Sequence, residues 1–260
     1  MIRRPLAVLA CASCLLLGAG CGSDDNNDAT TQSSTETAAA TETTAPSDAV
    51  ALPQGDEPVE LDPAEFTTKI DNPYWPMPRG ARWVYTSDAE RIVVEVTNRK
   101  KRIAGVEALV LRDTVTQRNG GGFVEVTDDW YAQDTEGNVW YLGEDTKEYK
   151  DGKVSSTKGS WEHGVDGAYA GIIMPAKPRP GLTYRQEYYE GEAEDVGKVL
   201  SVDDKVTVPV GTFENVVKTQ DSSPLEPGLV EYKYYARGVG HVLRTSKDGG
   251  GREELISYTK

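Results

Sequence analysis

Hydrophobic and polar positions alternate through most of the chain beyond residue 80. In the run Arg91–Val96, Ile92 and Val94 face one way and Val93 and Glu95 the other, and this period of two is typical of a half-buried strand. Similar runs predict further strands at Ala81–Thr86, Val106–Thr116, Gly122–Ala132, Val139–Leu142, Leu182–Tyr189, Lys198–Val202, Lys205–Val208, Asn215–Thr219, Val230–Tyr235, Gly240–Thr245 and Glu254–Tyr258.

Tight turns are predicted between these strands, because Gly, Asn and Asp pairs supply the positive φ that hairpins need. A short helix is predicted at Asp62–Ile70, with Asp62 as its cap and Pro63 at its first position. The whole pattern predicts an all-β fold, an antiparallel meander that forms a strongly curved sheet or an incomplete barrel. A two-sheet β-sandwich is the alternative. The turn pairs are Asn119-Gly120, Glu136-Gly137-Asn138, Asp151-Gly152, Glu190-Gly191, Asp203-Asp204 and Asp248-Gly249.

The first 20 residues are typical of a secretory signal peptide, with Arg3 and Arg4 followed by a short apolar run and then small residues. Cys21 comes next, and the segment resembles a bacterial lipoprotein signal, which implies that a lipidated Cys21 is the first mature residue. The usual Leu three residues before that Cys is replaced by Gly18, so ordinary secretion is the alternative. Cys11 and Cys14 would leave with the signal, and the mature chain would have no internal disulfide.

Composition then divides the chain. Residues 22–64 contain no Lys or Arg, and 11 acidic residues lie from Cys21 to Glu65, so this stretch holds most of the formal net charge of −14. Low hydrophobicity with charge of one sign predicts disorder. We therefore expect a signal peptide at 1–20, a lipidated Cys and a disordered acidic tether rich in Thr, Ala and Ser at 21–64, and one antiparallel β domain at 65–260.

The domain carries a series of local motifs, namely Ile70–Pro76 (IDNPYWP), Asp129–Asp134 (DWYAQD), Gly137–Glu144 (GNVWYLGE), Gly159–Glu162 (GSWE), Gly164–Ala168 (GVDGA), Arg185–Tyr188 (RQEY) and Gly238–Gly240 (GVG). Together they resemble a family of uncharacterised exported bacterial lipoproteins. The resemblance implies export, a lipid anchor on the outer face of the cell membrane and a single folded domain, and it implies no catalytic residue. The acidic balance also argues against a nucleic-acid partner.

The most informative pattern for chemistry is a predicted hairpin around Glu190-Gly191. A two-residue turn would set Glu187 opposite Glu194, and one more loop residue would set it opposite Asp195. Two bare carboxylates facing each other destabilise a sheet. A bound cation, a shared proton or the neighbouring Arg185 would each offset the repulsion, and solvent exposure of the hairpin would reduce it.

Two loops are weaker candidates. Asp134, Glu136 and Asn138 place oxygen ligands at alternate positions around a Gly, as in a calcium loop, although a plain hairpin turn explains them without metal. Glu162, His163 and Asp166 begin a long connection that runs to Pro180, and connections of that length often form the rim of a site.

Aromatic residues suggest the first functional hypothesis, a non-enzymatic binding module with an aromatic face for a small apolar ligand, a saccharide or an envelope partner. Each of these residues could equally belong to the core. A carboxylate-dependent, glycosidase-like hydrolase is the second hypothesis, and a calcium-stabilised structural domain is the third. No cofactor is predicted apart from that calcium ion, because the chain lacks the common nucleophile, zinc and phosphate-loop motifs. The predicted lining is Trp130, Trp140, Tyr141, Trp161, Tyr188, Tyr232 and Tyr234.

Overall fold

The computed structural model describes residues 52–248 and 251–260. The predicted signal peptide, Cys21 and most of the predicted tether lie outside this range. The described chain contains one 3-10 helix, Pro63–Glu65, and these strands: β1 Phe66–Thr67, β2 Arg82–Thr86, β3 Glu90–Ile103, β4 Val106–Gln117, β5 Phe123–Asp134, β6 Val139–Lys150, β7 Lys153–Ser156, β8 Trp161–Glu162, β9 Tyr169–Met174, β10 Thr183–Arg185, β11 Glu187–Tyr188, β12 Val196–Val208, β13 Gly211–Ser222, β14 Val230–Ala236, β15 Gly240–Ser246 and β16 Arg252–Thr259. None of the described residues belongs to a helix with the length and apolar character needed to cross a membrane.

The strands form one antiparallel sheet that nearly closes into a barrel. Its main path has 13 strands and leaves a single unsealed seam, which confirms the prediction of an all-β incomplete barrel. The two end strands, β10 and β11, are separated in the chain only by Gln186. The chain therefore changes its pairing partner from β12 to β9 at this residue. The path runs β10, β12, β13, β14, β15, β16, β2, β3, β4, β5, β6, β9 and β11.

Several predicted strand limits need correction. Leu182–Tyr189 is not one strand, because β10 and β11 pair with different neighbours. The runs 198–202 and 205–208 were predicted as two strands with a turn at Asp203-Asp204 between them. They form the single strand β12 without that turn, and the register of its pairing with β13 shifts in this region. Asp151-Gly152 is a tight turn between β6 and β7, as predicted, with φ values of 53° and 73°.

The predicted helix at Asp62–Ile70 is also shorter than expected. Asp62 accepts a hydrogen bond from the backbone N–H of Ala64 at 2.9 Å, so the predicted cap is correct. The helix nevertheless ends at Glu65, and Phe66 begins β1, which pairs with β5. Phe66 also packs edge-on against Trp140 at 5.9 Å. Pairing with the sheet and this aromatic contact replace further helical turns.

The main core lies inside the barrel and is rich in aromatic rings. Trp83 stacks on Tyr258 at 5.2 Å, and Tyr131 stacks on Tyr141 at 4.9 Å. Trp161 meets Tyr141 edge-on at 5.3 Å. A second, smaller cluster lies on the other face of the sheet and includes Ile103, Val106, Ala108, Val110, Trp130, Ala132, Leu142 and Ala170, with Leu61, Phe66 and Trp140 packed against it.

Residues 52–57, which we expected at the end of the tether, contact the seam. The carbonyl of Pro53 accepts a hydrogen bond from the Arg185 backbone N–H at 2.7 Å. The side chain of Gln54 donates to the carbonyl of Thr183 at 2.7 Å. Leu52 packs against the main core. This segment therefore forms part of the folded unit, upstream of the boundary predicted at residue 65.

Candidate functional site at the barrel seam

A surface pocket of about 300 Å³ opens at the seam. It contains four residues that the sequence analysis selected, three from the candidate carboxylate cluster and one, Tyr188, from the candidate aromatic lining. The N-terminal segment supplies one wall, and β10, β11 and the start of β12 supply the others. The lining residues are Gly55, Asp56, Arg185, Glu187, Tyr188, Glu194, Val196 and Pro224.

The hairpin takes the longer of the two predicted loops. Tyr189 and Ala193 exchange backbone hydrogen bonds of 2.5 and 2.9 Å, which leaves three residues, 190–192, in the loop. The carbonyl of Asp195 accepts a hydrogen bond from the Gln186 N–H at 2.8 Å. Glu187 is therefore brought next to Asp195, and the register that pairs it with Glu194 does not form.

Glu187 is 2% exposed and is one of the residues that line the seam pocket. Its Oε2 accepts a hydrogen bond from the indole Nε1–H of Trp161 at 2.7 Å. Burial raises the pKa of Glu187 well above its ordinary value, and the nearby charge of Asp195 adds to the effect, although the Trp161 bond and Lys233 oppose it. Burial and the charge of Asp195 therefore favour the neutral form of the Glu187 carboxyl group.

Arg185 forms no hydrogen bond or ion pair with Glu187, so this one of the alternatives for offsetting the repulsion does not occur. Its guanidinium donates to the carbonyls of Gly55 at 3.0 Å, Glu57 at 2.7 Å and Ala170 at 2.8 Å. Burial lowers the pKa of Arg185. Because the chain changes its pairing partner between the two residues, Arg185 is directed to the N-terminal segment and Glu187 to the core.

Glu194 and Tyr188 form the outer part of the pocket. The Oε1 of Glu194 accepts a hydrogen bond from the Gly191 N–H at 2.7 Å, which orients this carboxylate at the rim. The ring of Tyr188 lies parallel to that of Tyr169, with an interplanar angle of 12° and 6.1 Å between centroids. The pocket thus combines polar side chains with a flat aromatic surface.

Behind Glu187, a row of buried acids continues into the barrel. The hydroxyl of Tyr141 lies 2.7 Å from Oδ1 of Asp129 and 2.8 Å from Oε2 of Glu144. A phenol has one proton to donate, so one of the two carboxyl groups must itself donate to Tyr141. Burial raises the pKa of both acids. This arrangement is therefore stable only with at least one proton on the pair.

A buried ion pair lies on the other side of the seam. Lys233 Nζ is 2.7 Å from Oδ2 of Asp221, and both side chains are nearly inaccessible. Thr219 donates to Oδ1 of Asp221 at 2.8 Å, and Gln186 donates to Oδ2 at 3.2 Å. Both carboxylate oxygens of Asp221 thus have partners, and one of these partners is Gln186, the residue at which the chain changes its pairing partner.

The barrel interior itself is too full to hold an organic ligand. The cavity among Asp113, Asp129, Lys233 and His241 offers only about 20 Å³ to the centre of a water molecule. One water needs about 10–15 Å³ of such space. Burial, together with the charges of Lys233 and Arg244, lowers the pKa of His241 to about 3, so this imidazole is neutral. The seam pocket is therefore the better candidate for a ligand.

The predicted loop rim does not form one site. Glu162 pairs with Lys101 at 2.6 Å. His163 is buried, and its Nδ1 accepts a hydrogen bond from the Ala170 N–H at 3.1 Å. Asp166 is exposed at a φ of 51°. The long connection that we expected contains β8 and β9, joined by a compact turn that His163 closes.

The predicted calcium loop is held by hydrogen bonds of its own. Asp134 accepts from the N–H and the side-chain amide of Asn138, and from the indole of Trp140, each at 2.8 Å. Glu136 is exposed. Across 52–248 and 251–260, no three His, Cys, Asp or Glu side chains are placed together so as to hold a metal ion. The loop therefore has the bonds of a hairpin turn.

The aromatic residues predicted to form one lining lie on several different surfaces. Tyr141 and Trp161 are in the inner core, whereas Trp130 is in the outer cluster and Trp140 packs against both. Tyr188 alone borders the seam pocket. The remaining two lie beside Lys218, whose Nζ is 4.6 and 5.3 Å from the ring centroids of Tyr232 and Tyr234.

The sequence analysis missed the inner acids, although the pattern contained a signal for one of them. Asp113 occupies an alternate position of β4 together with Leu109, Leu111 and Val115, all of which are buried. A polar residue at a core position of a strand marks an interior polar site. Asp129 and Glu144 are harder to find, because the pairing of β5 with β6 shifts register between 129 and 131.

A scan against protein-family models and a search of curated proteins gave no match. Among solved structures, the chain is similar to a candidate lipoprotein from Parabacteroides distasonis ATCC 8503, determined at 2.70 Å resolution. The two share 12% identity with a TM-score of 0.39, and the match covers 72% of this chain and 98% of that chain. The chemistry of the seam pocket is therefore inferred from its own residues.

Proposed function

We propose that the protein is a binding module that takes a small polyhydroxylated ligand, such as a saccharide, in the seam pocket. The observation that carries the proposal is the combination of lining groups in one pocket, with carboxylates at Asp56 and Glu194 and an aromatic ring at Tyr188. Ligand pockets generally range from about 300 to 1,000 Å³. At about 300 Å³, this one suits a small ligand.

The lining matches the chemistry of a sugar. Carboxylate oxygens accept hydrogen bonds from hydroxyl groups, and a charged acceptor makes a stronger bond than a neutral one. The Tyr188 ring offers an apolar face for the C–H side of a sugar ring, and its parallel neighbour Tyr169 orients it. Both kinds of contact are needed for an amphipathic ligand of this class.

Ligand-observed NMR with a panel of mono- and disaccharides tests this proposal. We expect saturation transfer to a bound sugar in the wild type and its loss in Tyr188→Ala. Tyr234→Ala is the matched control, because Tyr234 is a partly buried tyrosine on β14 away from the pocket. Binding that persists in Tyr188→Ala, or that fails equally in the control, would refute the proposal.

A glycosidase-like hydrolase is the second candidate, supported by the state of Glu187. Glycoside hydrolysis uses a carboxylic acid with a raised pKa together with a second carboxylate, and here burial and the charge of Asp195 raise the pKa of Glu187. If the pocket is catalytic, Glu187→Gln abolishes release of reducing sugar while the sugar still binds. If the wild type binds a sugar and releases no product, the hydrolase proposal fails and the binding proposal stands.

We further propose that a lipid on Cys21 holds the domain at the outer face of a membrane. The support is the charged, apolar and small-residue sequence before Cys21. Acyl chains contribute about 0.8 kcal/mol for each buried CH2 group, so two or more chains give a stable anchor. Metabolic labelling with palmitate should mark the wild type and spare Cys21→Ala. Equal labelling of both would exclude this anchor.

A further inference from the structure

Three apolar side chains lie side by side at one end of the sheet, on adjacent strands β5, β6 and β7. Phe123 is 53% exposed and Val154 49% exposed, more than the other exposed large hydrophobic residues of the described chain. The ring of Phe123 lies 5.7 Å from that of Tyr149. Tyr149 pairs directly opposite Val154, so their side chains share one face. Together they form a continuous apolar row, which we call the tip.

Two lysines flank the turn next to this row. Lys150 and Lys153 lie directly opposite each other on either side of Asp151-Gly152, on the face of the hairpin opposite to Tyr149 and Val154. Both lysines are exposed, as is Asp151 between them. Within the described ranges, neither ammonium group forms an ion pair, and the neighbouring Lys147 is engaged by Asp145 at 2.6 Å. Like charges directly opposite each other destabilise a hairpin. A negatively charged partner would remove that cost.

Nothing in the described chain covers the tip. β7 lies off the main path of the sheet and pairs only with β6. Edge strands often carry Lys to prevent pairing with other chains. That explanation accounts for Lys153 alone and does not account for the exposed Phe123 and Val154 beside it.

We propose that the tip is a membrane-contact surface that inserts into the interface of an anionic bilayer. Phe123, Tyr149 and Val154 would enter the headgroup region, where aromatic and aliphatic side chains are favoured. Lys150 and Lys153 would be attracted to the negatively charged lipid phosphates. The contact is separate from the seam pocket and does not depend on the proposed function.

Vesicle sedimentation with the full chain tests the proposal. Cys21→Ala is used as the background so that no acyl chain contributes. We expect this protein to sediment with phosphatidylcholine vesicles that contain phosphatidylglycerol, and to bind pure phosphatidylcholine vesicles much more weakly. Lys150→Glu with Lys153→Glu should reduce the partition coefficient roughly tenfold or more. Phe123→Ser with Val154→Ser should reduce it on the same vesicles.

Two matched controls keep the test specific. Ile256→Ser removes an exposed hydrophobic residue from β16, and Lys198→Glu reverses an exposed charge on β12. Both should bind like the background protein, and all variants should keep the same melting temperature within a few degrees. Absence of binding to the anionic vesicles, or an equal loss in the controls, would overturn the proposal.

Discussion

Glu125 makes the stability of this barrel depend on pH in a direction that can be measured. Its side chain is 6% exposed on β5 and pairs directly opposite Glu148 on β6. Burial raises the pKa of Glu125 from 4.5 to about 7, with further increases from the charges of Glu148 and Asp129. A weak bond from Thr127 at 3.4 Å opposes the increase. The folded protein therefore holds this proton more tightly than the unfolded chain does.

The sign and size follow from proton linkage. Below pH 4.5 the carboxyl group is protonated in both states and carries no penalty, whereas above pH 7 it is charged in both and the folded state bears the cost. A rise in pKa from 4.5 to about 7 corresponds to about 3 kcal/mol, at 1.36 kcal/mol for each pH unit. Stability should therefore fall by up to about 3 kcal/mol as the pH rises through this range.

Glu125→Gln removes this titration while keeping the shape of the side chain. Urea unfolding followed by tryptophan fluorescence should give similar stabilities for variant and wild type at pH 4, and a variant that is more stable by about 2–3 kcal/mol at pH 8. Glu95→Gln is the control, because Glu95 is an exposed glutamate that pairs with Arg82 at 2.9 Å. A difference between Glu125→Gln and wild type that stays constant from pH 4 to 8 would refute the reasoning.

Three further changes test the interior. Lys233→Met leaves Asp221 buried without its cation and should cost about 3–5 kcal/mol in urea unfolding, and a loss below 1 kcal/mol would mean that the pair is not desolvated. Gly143→Ala places a methyl group against the Trp161 carbonyl at a φ of 137°, so the melting temperature should fall, and an unchanged value would contradict this backbone geometry. Trp161→Phe removes the donor to Glu187 and should cost about 1–3 kcal/mol at neutral pH, whereas a neutral effect would show that Glu187 finds another partner.

Local sequence rules were sufficient for the strands and for part of the site. The period of two in residues 91–96 and 106–116 depends only on which face of a pleated strand is buried, and β3 and β4 form there. Arg185, Glu187 and Glu194 were selected as members of one candidate carboxylate cluster, and Tyr188 was selected as part of a candidate aromatic lining. All four line the seam pocket. Their partners could not be inferred in the same way, since Trp161 lies 26 residues before Glu187 and Gly55 lies 130 residues before Arg185.

By itself, the sequence determined that the described domain is antiparallel β and placed tight turns such as Asp151-Gly152, because alternation and positive-φ turn residues act over a few neighbouring positions. Only the tertiary structure decided where the barrel leaves its seam, how Gln186 divides one predicted strand into two and which acids become buried. Those outcomes depend on pairing between residues that are far apart in the chain. Which neighbour a strand pairs with depends on the packing of the whole barrel, and a local sequence pattern does not predict it.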